Sequence, residues 1–271
     1  MAPRRSSSAE LPADMGPMPR QKVADQILSA LRKEIVSGAL PRDSRLPTER
    51  ELATRFGVSG PTVREAIRGL SALGLVEVRH GSGAYVSPNV DNIVAVSLGT
   101  LVQLESVGIS DLIRLLRVLN SHAAELAVDR ATEDDIARVR EAAELTITCR
   151  TVSDTAHAMT SFLTSFADAA HDPLLGAIAR FLVHLVVKLE MSSYESRSDE
   201  FWRKWSSSAG SLRLAMVERL EERDAEGLVK AVVEYHDVVA KRIDTIPQLR
   251  DARLSDADFE SFIGSRGRAV P

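Results

Sequence analysis

Apolar residues recur at intervals of three and four along most of this 271-residue chain, the spacing that places side chains on one face of an α-helix. Residues 75–86 differ, because two short apolar runs there surround a glycine-rich turn containing Gly81 and Gly83. This arrangement predicts a β-hairpin with strands at residues 75–79 and 84–86. The pattern therefore predicts a mainly α-helical protein with one small pair of strands.

Three helices are predicted before the hairpin, within a domain of residues 20–88. The first covers residues 21–36 and carries an apolar residue at every fourth position. The second begins after Thr48, where Glu51 lies three residues further on, as a capping box requires. Gly57 then provides the left-handed backbone conformation that ends a helix.

The third helix follows closely, with Ser59 as its predicted N-cap and Pro61 in its first turn. Val63, Ile67 and Leu70 recur at helical spacing and form the predicted buried face. The remaining face carries polar and charged side chains, namely Thr62, Arg64, Glu65 and Arg68. Two short helices joined by Gly-Val-Ser and followed by a hairpin indicate a winged helix-turn-helix, which places one helix in the major groove of DNA.

The stretch LPTERELATRFGVSGPTVREAIRGLSALGLVEVRHGSG resembles the DNA-binding domain of the GntR family of bacterial transcription regulators, over about residues 23–86. Many FadR-type members of that family have an arginine that contacts a guanine at the position of Gly60, so this chain lacks that donor. The resemblance implies phosphate and base contacts from Arg45, Arg50, Ser59, Thr62 and Arg64, and minor-groove contacts from His80 and Gly81 at the wing tip.

Some of these residues also have a simpler structural interpretation. Arg64 would then belong to a solvated helix face, Arg45 would brace its loop, and Arg50 would pair with Glu49 or Glu51. The length and order of the motif around them favour contact with DNA.

Charge is distributed unevenly along the chain, whose formal net charge is −4. Residues 20–88 contain 11 Lys and Arg against 7 Asp and Glu, whereas residues 89–271 carry a net charge of −8. A basic domain on an acidic remainder is typical of a protein that touches phosphates at one end.

The chain has one cysteine, Cys149, so no internal disulfide is expected and a reducing cytoplasm is the expected location. No apolar run approaches 18 residues, which argues against a membrane segment. Residues 1–19 are rich in Pro, Ser and Ala and lack the apolar core of a secretory signal, so they predict a disordered tail.

A second, all-helical domain is predicted at residues 89–246, followed by a flexible C-terminal tail at 247–271. Thr132, Asp172 and Asp224 are its candidate helix N-caps. About seven helices are expected, at residues 91–105, 109–130, 133–149, 153–170, 173–194, 198–222 and 225–244.

Three stretches of this domain resemble the all-helical effector domain of FadR-type GntR regulators, the FCD domain. They are ISDLIRLLRVLNSHAAELAVDRATEDD, FADAAHDPLLGAIARFL and LAMVERLEERDAEGLVKAVVEYH. The resemblance implies a homodimer whose helical domain encloses a small-molecule effector. In many members it also implies a divalent metal, bound by an aspartate and a histidine four residues apart and by two later histidines.

This chain departs from that metal-binding pattern. An ungapped alignment places Met159, Leu163, Arg213 and Tyr235 at the four ligand positions. Because a divalent metal prefers imidazole and carboxylate donors, we expect no metal and no other cofactor. An alternative set that stays open is Asp154, His157 and His236.

The same positions suggest what kind of effector would fit. Met159 and Leu163 would face the interior of the bundle, where they could also be ordinary core residues. An apolar chamber with Arg117, Arg213 and Tyr235 at its polar end would suit a ligand with an acyl or ring body and an acidic group.

The sequence therefore predicts a dimeric, sequence-specific transcription regulator, most simply a repressor, that binds a short palindrome in double-stranded DNA and a metal-independent effector. The first alternative is a metal-assisted sensor of a small hydroxy- or keto-acid in the same fold. A DNA-organising protein without an effector is another. An enzyme is disfavoured, because the chain has no glycine-rich phosphate loop, nucleophile elbow or carboxylate pair with acid–base spacing.

Overall fold

The computed structural model describes residues 19–79, 81–87, 91–193 and 198–254. The chain divides into two compact units, Met1–Asn89 and Val90–Pro271. The described residues are mainly α-helical, with one two-stranded sheet in the first unit, which confirms the predicted fold class. The predicted N-terminal tail falls almost entirely on residues 1–18, which lie outside the described residues.

The first unit is the winged domain. Its two strands are antiparallel, with Val76 opposite Val86 and Arg79 opposite Gly83. Apolar side chains from all three helices and from both strands form its core, including Leu31, Leu52, Val63, Leu70 and Val86. The elements are α1 (Pro19–Val36), α2 (Glu49–Phe56), α3 (Gly60–Ala72), β1 (Val76–Arg79) and β2 (Gly83–Val86).

Local hydrogen bonds explain where α2 ends and where α2 and α3 begin. The Thr48 hydroxyl accepts the Glu51 N–H, and the Glu51 carboxylate accepts the Thr48 N–H at 2.7 Å, so the predicted capping box is confirmed. Gly57 has φ 66° and ends α2 as predicted. Ser59 occupies the N-cap of α3, but its hydroxyl lies 2.8 Å from that of Thr62 and makes no bond to the helix backbone.

The second unit is an all-helical domain, and no helix among the described residues is long and apolar enough to cross a membrane. The capping prediction is confirmed at all three positions. The side-chain oxygens of Thr132 and Asp224 accept the N–H groups of Asp135 and Gly227, and Asp172 accepts those of Leu174 and Leu175. The helices are α4 (Asp91–Leu104), α5 (Ile109–Arg130), α6 (Glu133–Thr148), α7 (Val152–Asp168), α8 (Pro173–Ser193), α9 (Asp199–Ser207), α10 (Gly210–Glu221), α11 (Ala225–Asp244) and α12 (Pro247–Arg250).

Helix α8 is the central element of this domain. It packs against α4, α5 and α7, and it buries residues on most of its circumference, as a helix surrounded by others must. Helix α5 packs along α11, and α6 packs against α7 and α10. The largest apolar side chains of the core are fully buried, namely Phe162, Phe166, Phe181 and Trp202.

The structure differs from the sequence prediction in two places. The expected helix at 198–222 is two helices, α9 and α10, because the chain breaks at Ala209, where φ is −111° and ψ is 14°. The expected flexible tail at 247–271 begins instead with α12 and continues to Leu254, since Leu249 and Leu254 are buried in the core. Nine helices are therefore present in the described part of this domain. The rest of that tail, residues 255–271, lies outside the described residues.

Candidate DNA interface and effector site

A cleft of about 360 Å³ lies on the winged domain between the start of α2, helix α3 and the wing. Three arginines line it, namely Arg45 from the segment before α2, and Arg64 and Arg68 one turn apart on α3. Since their guanidinium groups present N–H donors in a fixed planar fork, this surface suits phosphate and base-edge acceptors.

Arg45 lies on an extended segment that pairs with Tyr85 of the wing in an isolated β-bridge. Its guanidinium lies against Gly83, where an added Cβ would be 3.2 Å from the Arg45 Nε. Gly83 also has φ +108°, so only glycine fits both the backbone and the arginine there. The prediction that Arg45 braces this loop and the prediction that it contacts DNA are therefore compatible.

Arg64 projects from α3 and forms an ion pair with Glu49 at the start of α2. The Arg64 Nη2 lies 2.9 Å from Glu49 Oε2, and its Nε lies 3.2 Å from both carboxylate oxygens. This hydrogen-bonded pairing lowers the pKa of Glu49. The alternative pairing of Arg50 with Glu49 or Glu51 is not found, because Glu51 caps α2 instead.

Some of the other predicted DNA-contacting residues are exposed and one is buried. Arg50 and Ser59 are exposed, and Gly81 is exposed in the wing turn with φ 75°. Thr62, predicted on the polar face of α3, is buried with about 9% of its surface exposed. Its hydroxyl is within 2.8 Å of Ser59, so it supports the start of the helix. His80 lies outside the described residues.

In the helical domain, Arg213 on α10 is fully buried and makes three hydrogen bonds from its guanidinium group. Its Nε donates to Thr146 Oγ1 at 2.8 Å, its Nη1 to Met159 Sδ at 3.4 Å, and its Nη2 to the Ser206 carbonyl. The Tyr235 ring centroid is 5.9 Å from its Cζ atom. We call these five residues the Arg213 cluster.

The structure places the predicted effector residues in two locations. Met159, Arg213 and Tyr235 come together in the Arg213 cluster, and Leu163 is buried in the surrounding core. Arg117 does not join them. It is partly exposed, and its Nη1 donates to Asp237 at 2.8 Å between α5 and α11.

Sequence reasoning did not identify two ionisable residues that lie near this cluster. Glu190 on α8 is buried beside Arg213 and Arg242, accepts a hydrogen bond from Trp205, and has its pKa raised to about 7 by desolvation. Arg242 on α11 stacks on the Trp205 ring at 3.5 Å and donates to the Trp205 carbonyl at 2.9 Å. The available signal was an acidic residue inside the otherwise apolar face of α8.

His236 is also buried, on the side of α11 that faces α5. Its Nδ1 lies 2.8 Å from the Val232 carbonyl, and its Nε2 lies 3.2 Å from Asn120 Nδ2. The Val232 carbonyl can only accept, so Nδ1 carries the proton and donates to it, and Nε2 then accepts from the Asn120 amide. Burial lowers the pKa of His236 to about 4, so the ring is neutral at physiological pH.

The residues present do not fit a divalent metal at the position that the family resemblance implies. The guanidinium of Arg213 would repel a cation, and Met159 and Tyr235 offer no carboxylate or imidazole donor. Within the described ranges, no three His, Cys, Asp or Glu side chains are grouped so that they could share an ion. In the alternative set, Asp154 caps α7 while His236 bonds to Asn120, so they are not assembled.

The shifts at Glu190 and His236 oppose each other in their effect on stability. Between about pH 4.5 and 7, Glu190 keeps its proton only in the folded state, so the free energy of unfolding falls as pH rises. Between about pH 4 and 6.5, His236 binds a proton only in the unfolded state, so that free energy rises with pH. Each shift corresponds to about 3 kcal/mol.

We therefore expect these two contributions to cancel between about pH 4.5 and 6.5. In Glu190→Gln the free energy of unfolding should increase with pH over this range, and in His236→Gln it should decrease. Urea unfolding of the full chain, followed by tryptophan fluorescence, measures both slopes. Parallel profiles in the wild type and both variants would contradict the assigned shifts.

Comparison with known proteins supports both domain assignments. The model of the family described as "Bacterial regulatory proteins, gntR family" matches residues 23–86, and that of the FCD domain matches residues 111–238. The uncharacterized HTH-type transcriptional regulator Rv0494 of Mycobacterium tuberculosis is 29% identical over 183 residues, which cover 67% of this chain and 74% of that protein. The HTH-type transcriptional repressor NanR of Klebsiella aerogenes is 32% identical over 132 residues, or 48% of this chain.

That second match spans 51%, or about half, of the length of NanR. Among solved structures, Streptococcus agalactiae GntR superposes with a TM-score of 0.60 at 20% identity, over 80% of this chain and 99% of that one, which shows the same fold. The two domain models match the winged domain and most of the helical domain in the order expected of one family. The chain therefore belongs to the GntR family, as a DNA-binding transcription regulator with an FCD domain and not an enzyme.

Proposed function

We propose that this regulator binds a short palindromic operator as a homodimer and represses transcription by occupying it, in the bacterial cytoplasm. The observation that carries the proposal is the cleft with Arg45, Arg64 and Arg68 around the start of α3 and the wing. Two winged domains related by twofold symmetry would meet half-sites related by the same symmetry. Repression also agrees with the name of one relative, the transcriptional repressor NanR.

For the helical domain we propose a metal-independent effector with an apolar, acyl-like body and an acidic end. Arg213 donates to Thr146, Met159 and Ser206, and its guanidinium also hydrogen-bonds to the Tyr235 hydroxyl. A ligand carboxylate would take over some of these contacts on the guanidinium, while Leu163 and its apolar neighbours would contact the body. Such a ligand alters operator affinity only if it binds the two DNA-binding states unequally.

Arg64→Ala tests the role of α3. We expect operator binding to weaken by roughly 1–3 kcal/mol, because a base or close phosphate contact is lost. The operator is first selected from a random duplex pool with the wild-type chain, and affinity is then measured by fluorescence anisotropy. Arg55→Ala is the matched control, since Arg55 pairs with Glu34 and does not line the cleft. Unchanged affinity of the Arg64 variant would contradict α3 as the recognition helix.

Native mass spectrometry of the purified chain tests the assembly and the effector class together. A dimer that carries an acyl or other apolar acid, and loses it in Arg213→Met, would support the proposal. A stoichiometric divalent metal would favour the small hydroxy- or keto-acid sensor instead. A monomer at micromolar concentration would argue against the twofold operator.

A further inference from the structure

The arginines of the winged domain fall into two groups according to their partners. Arg55, Arg64 and Arg79 form ion pairs with Glu34, Glu49 and Asp43, respectively. Arg32, Arg42, Arg45, Arg50 and Arg68 form none with any residue that the structure describes, although Arg68 is close enough to Glu49 to help lower the pKa of that carboxyl. Of the paired arginines, Arg64 is the one that lines the cleft, and its partner Glu49 lines it too.

We propose that Glu49 is a specificity-determining residue, which keeps Arg64 from binding non-operator DNA and releases it only to an operator base. The proposal rests on the proposed function, since it takes α3 as the recognition helix. It assigns different tasks to the cleft arginines. Arg45 and Arg68 would attract any duplex, whereas Arg64 would distinguish one sequence from another.

The geometry of the pair supports this division. Arg64 and Glu49 are each about half exposed, so the pair lies at the surface where DNA would be. Its carboxylate accepts from both Nε and Nη2 of the guanidinium, which is one of the two edges that can bind a guanine. Arg64 therefore cannot contact a base with that edge while it remains bound to Glu49.

When Arg64 leaves Glu49 for DNA, the free-energy change depends on whether it meets a phosphate or an operator base. A single phosphate contact replaces one charged partner with another and leaves the Glu49 carboxylate unpaired close to a polyanion. A bidentate base contact adds directional hydrogen bonds that offset the loss of the ion pair. Glu49 thus penalises the wrong sequence more than the right one, which is how a repulsive group produces specificity.

A simpler role for Glu49 would leave DNA binding unaffected. It is the first residue of α2, where an acidic side chain interacts favourably with the helix dipole. A purely structural Glu49 would change the stability of the winged domain, but not its preference between two DNA sequences. The test must therefore compare sequences.

The experiment compares Glu49→Gln with Glu34→Gln in the full chain. Both variants remove one negative charge and one ion pair with an arginine, but Glu34 lies on α1 and does not line the cleft. Affinity for the selected operator and for a scrambled duplex is measured by fluorescence anisotropy over a range of salt concentrations. In Glu49→Gln we expect roughly threefold to tenfold tighter binding to the scrambled duplex, with a smaller change for the operator.

The salt dependence gives an independent readout. If freed Arg64 contacts a phosphate of the scrambled duplex, the slope of log affinity against log salt should steepen by about one for each winged domain. Glu34→Gln should leave that slope unchanged, and Glu49→Gln should have no effect on it when combined with Arg64→Ala.

Each outcome bears on one claim. Equal changes in the two glutamine variants would mean that only net charge matters, and would overturn the proposal. The proposal would also be overturned if Glu49→Gln left the ratio of operator affinity to scrambled-duplex affinity unchanged. If Arg64→Ala alone leaves operator affinity unchanged, the failure lies in the proposed role of α3.

Discussion

Replacing Arg213 with alanine should lower the free energy of unfolding of the helical domain by about 3–5 kcal/mol. The guanidinium is about 1% exposed and donates to Thr146, Met159 and Ser206, so its removal leaves buried acceptors without donors. It also removes a positive charge beside Glu190, whose buried carboxyl is already difficult to ionise.

Tryptophan fluorescence measures this loss selectively. The chain has two tryptophans, Trp202 and Trp205, and both lie in the helical domain. Urea unfolding at fixed protein concentration should therefore give the stability of that domain. Arg114→Ala is the control, because Arg114 is exposed in a pair with Asp111 and should change stability by about 0.5 kcal/mol or less. Similar midpoints for the two alanine variants would show that the buried contacts of Arg213 contribute little.

Leu163→Asp should abolish cooperative folding of the helical domain or destabilise it by several kcal/mol. Leu163 is about 5% exposed and belongs to the central apolar core, so an aspartate there would be desolvated without a partner. The substitution also removes the packing contacts of the leucine methyl groups.

The same substitution at an exposed leucine separates burial from chemistry. Leu174→Asp introduces an acidic group in the first turn of α8, where Leu174 is about 70% exposed. We expect its effect to stay within about 0.5 kcal/mol, since the acid would lie near a helix N-terminus. Thermal unfolding of the two variants by circular dichroism makes the comparison. A Leu163 variant as stable as the Leu174 variant would place Leu163 outside the core.

Helices with strong local signals were predicted well from sequence. The capping box at Thr48 and Glu51 and the left-handed Gly57 define α2 through bonds between neighbours in the chain. Thr132 and Asp224 mark helix starts for the same reason. The break at Ala209 was missed although Ser206, Ser207, Ser208 and Gly210 form a local cluster of turn-favouring residues around it. There, arginines from α10 and α11 bond to the last turn of α9, and a Cβ on Gly210 would lie 2.8 Å from Ile147.

The candidate sites show the same limit. Alignment brought Met159, Arg213 and Tyr235 to attention, and they lie together because α7, α10 and α11 meet there. Glu190 and Arg242 could not be found this way, since their proximity depends on how α8 and α11 pack. Helical periodicity also placed Thr62 on the exposed face of α3, whereas it is buried next to Ser59. Long-range packing decided the positions of Glu190 and Arg242.

The Arg213 cluster also constrains how this domain can change over evolutionary time. Five separate helices contribute to it, so no single substitution can convert it into an apolar core without first leaving a buried polar group unpaired. Thr146→Val should destabilise the domain when residue 213 is arginine, and should be nearly neutral in the Arg213→Met background. Among relatives, an arginine at this position should therefore occur together with a small hydroxyl residue at position 146, as a covarying pair.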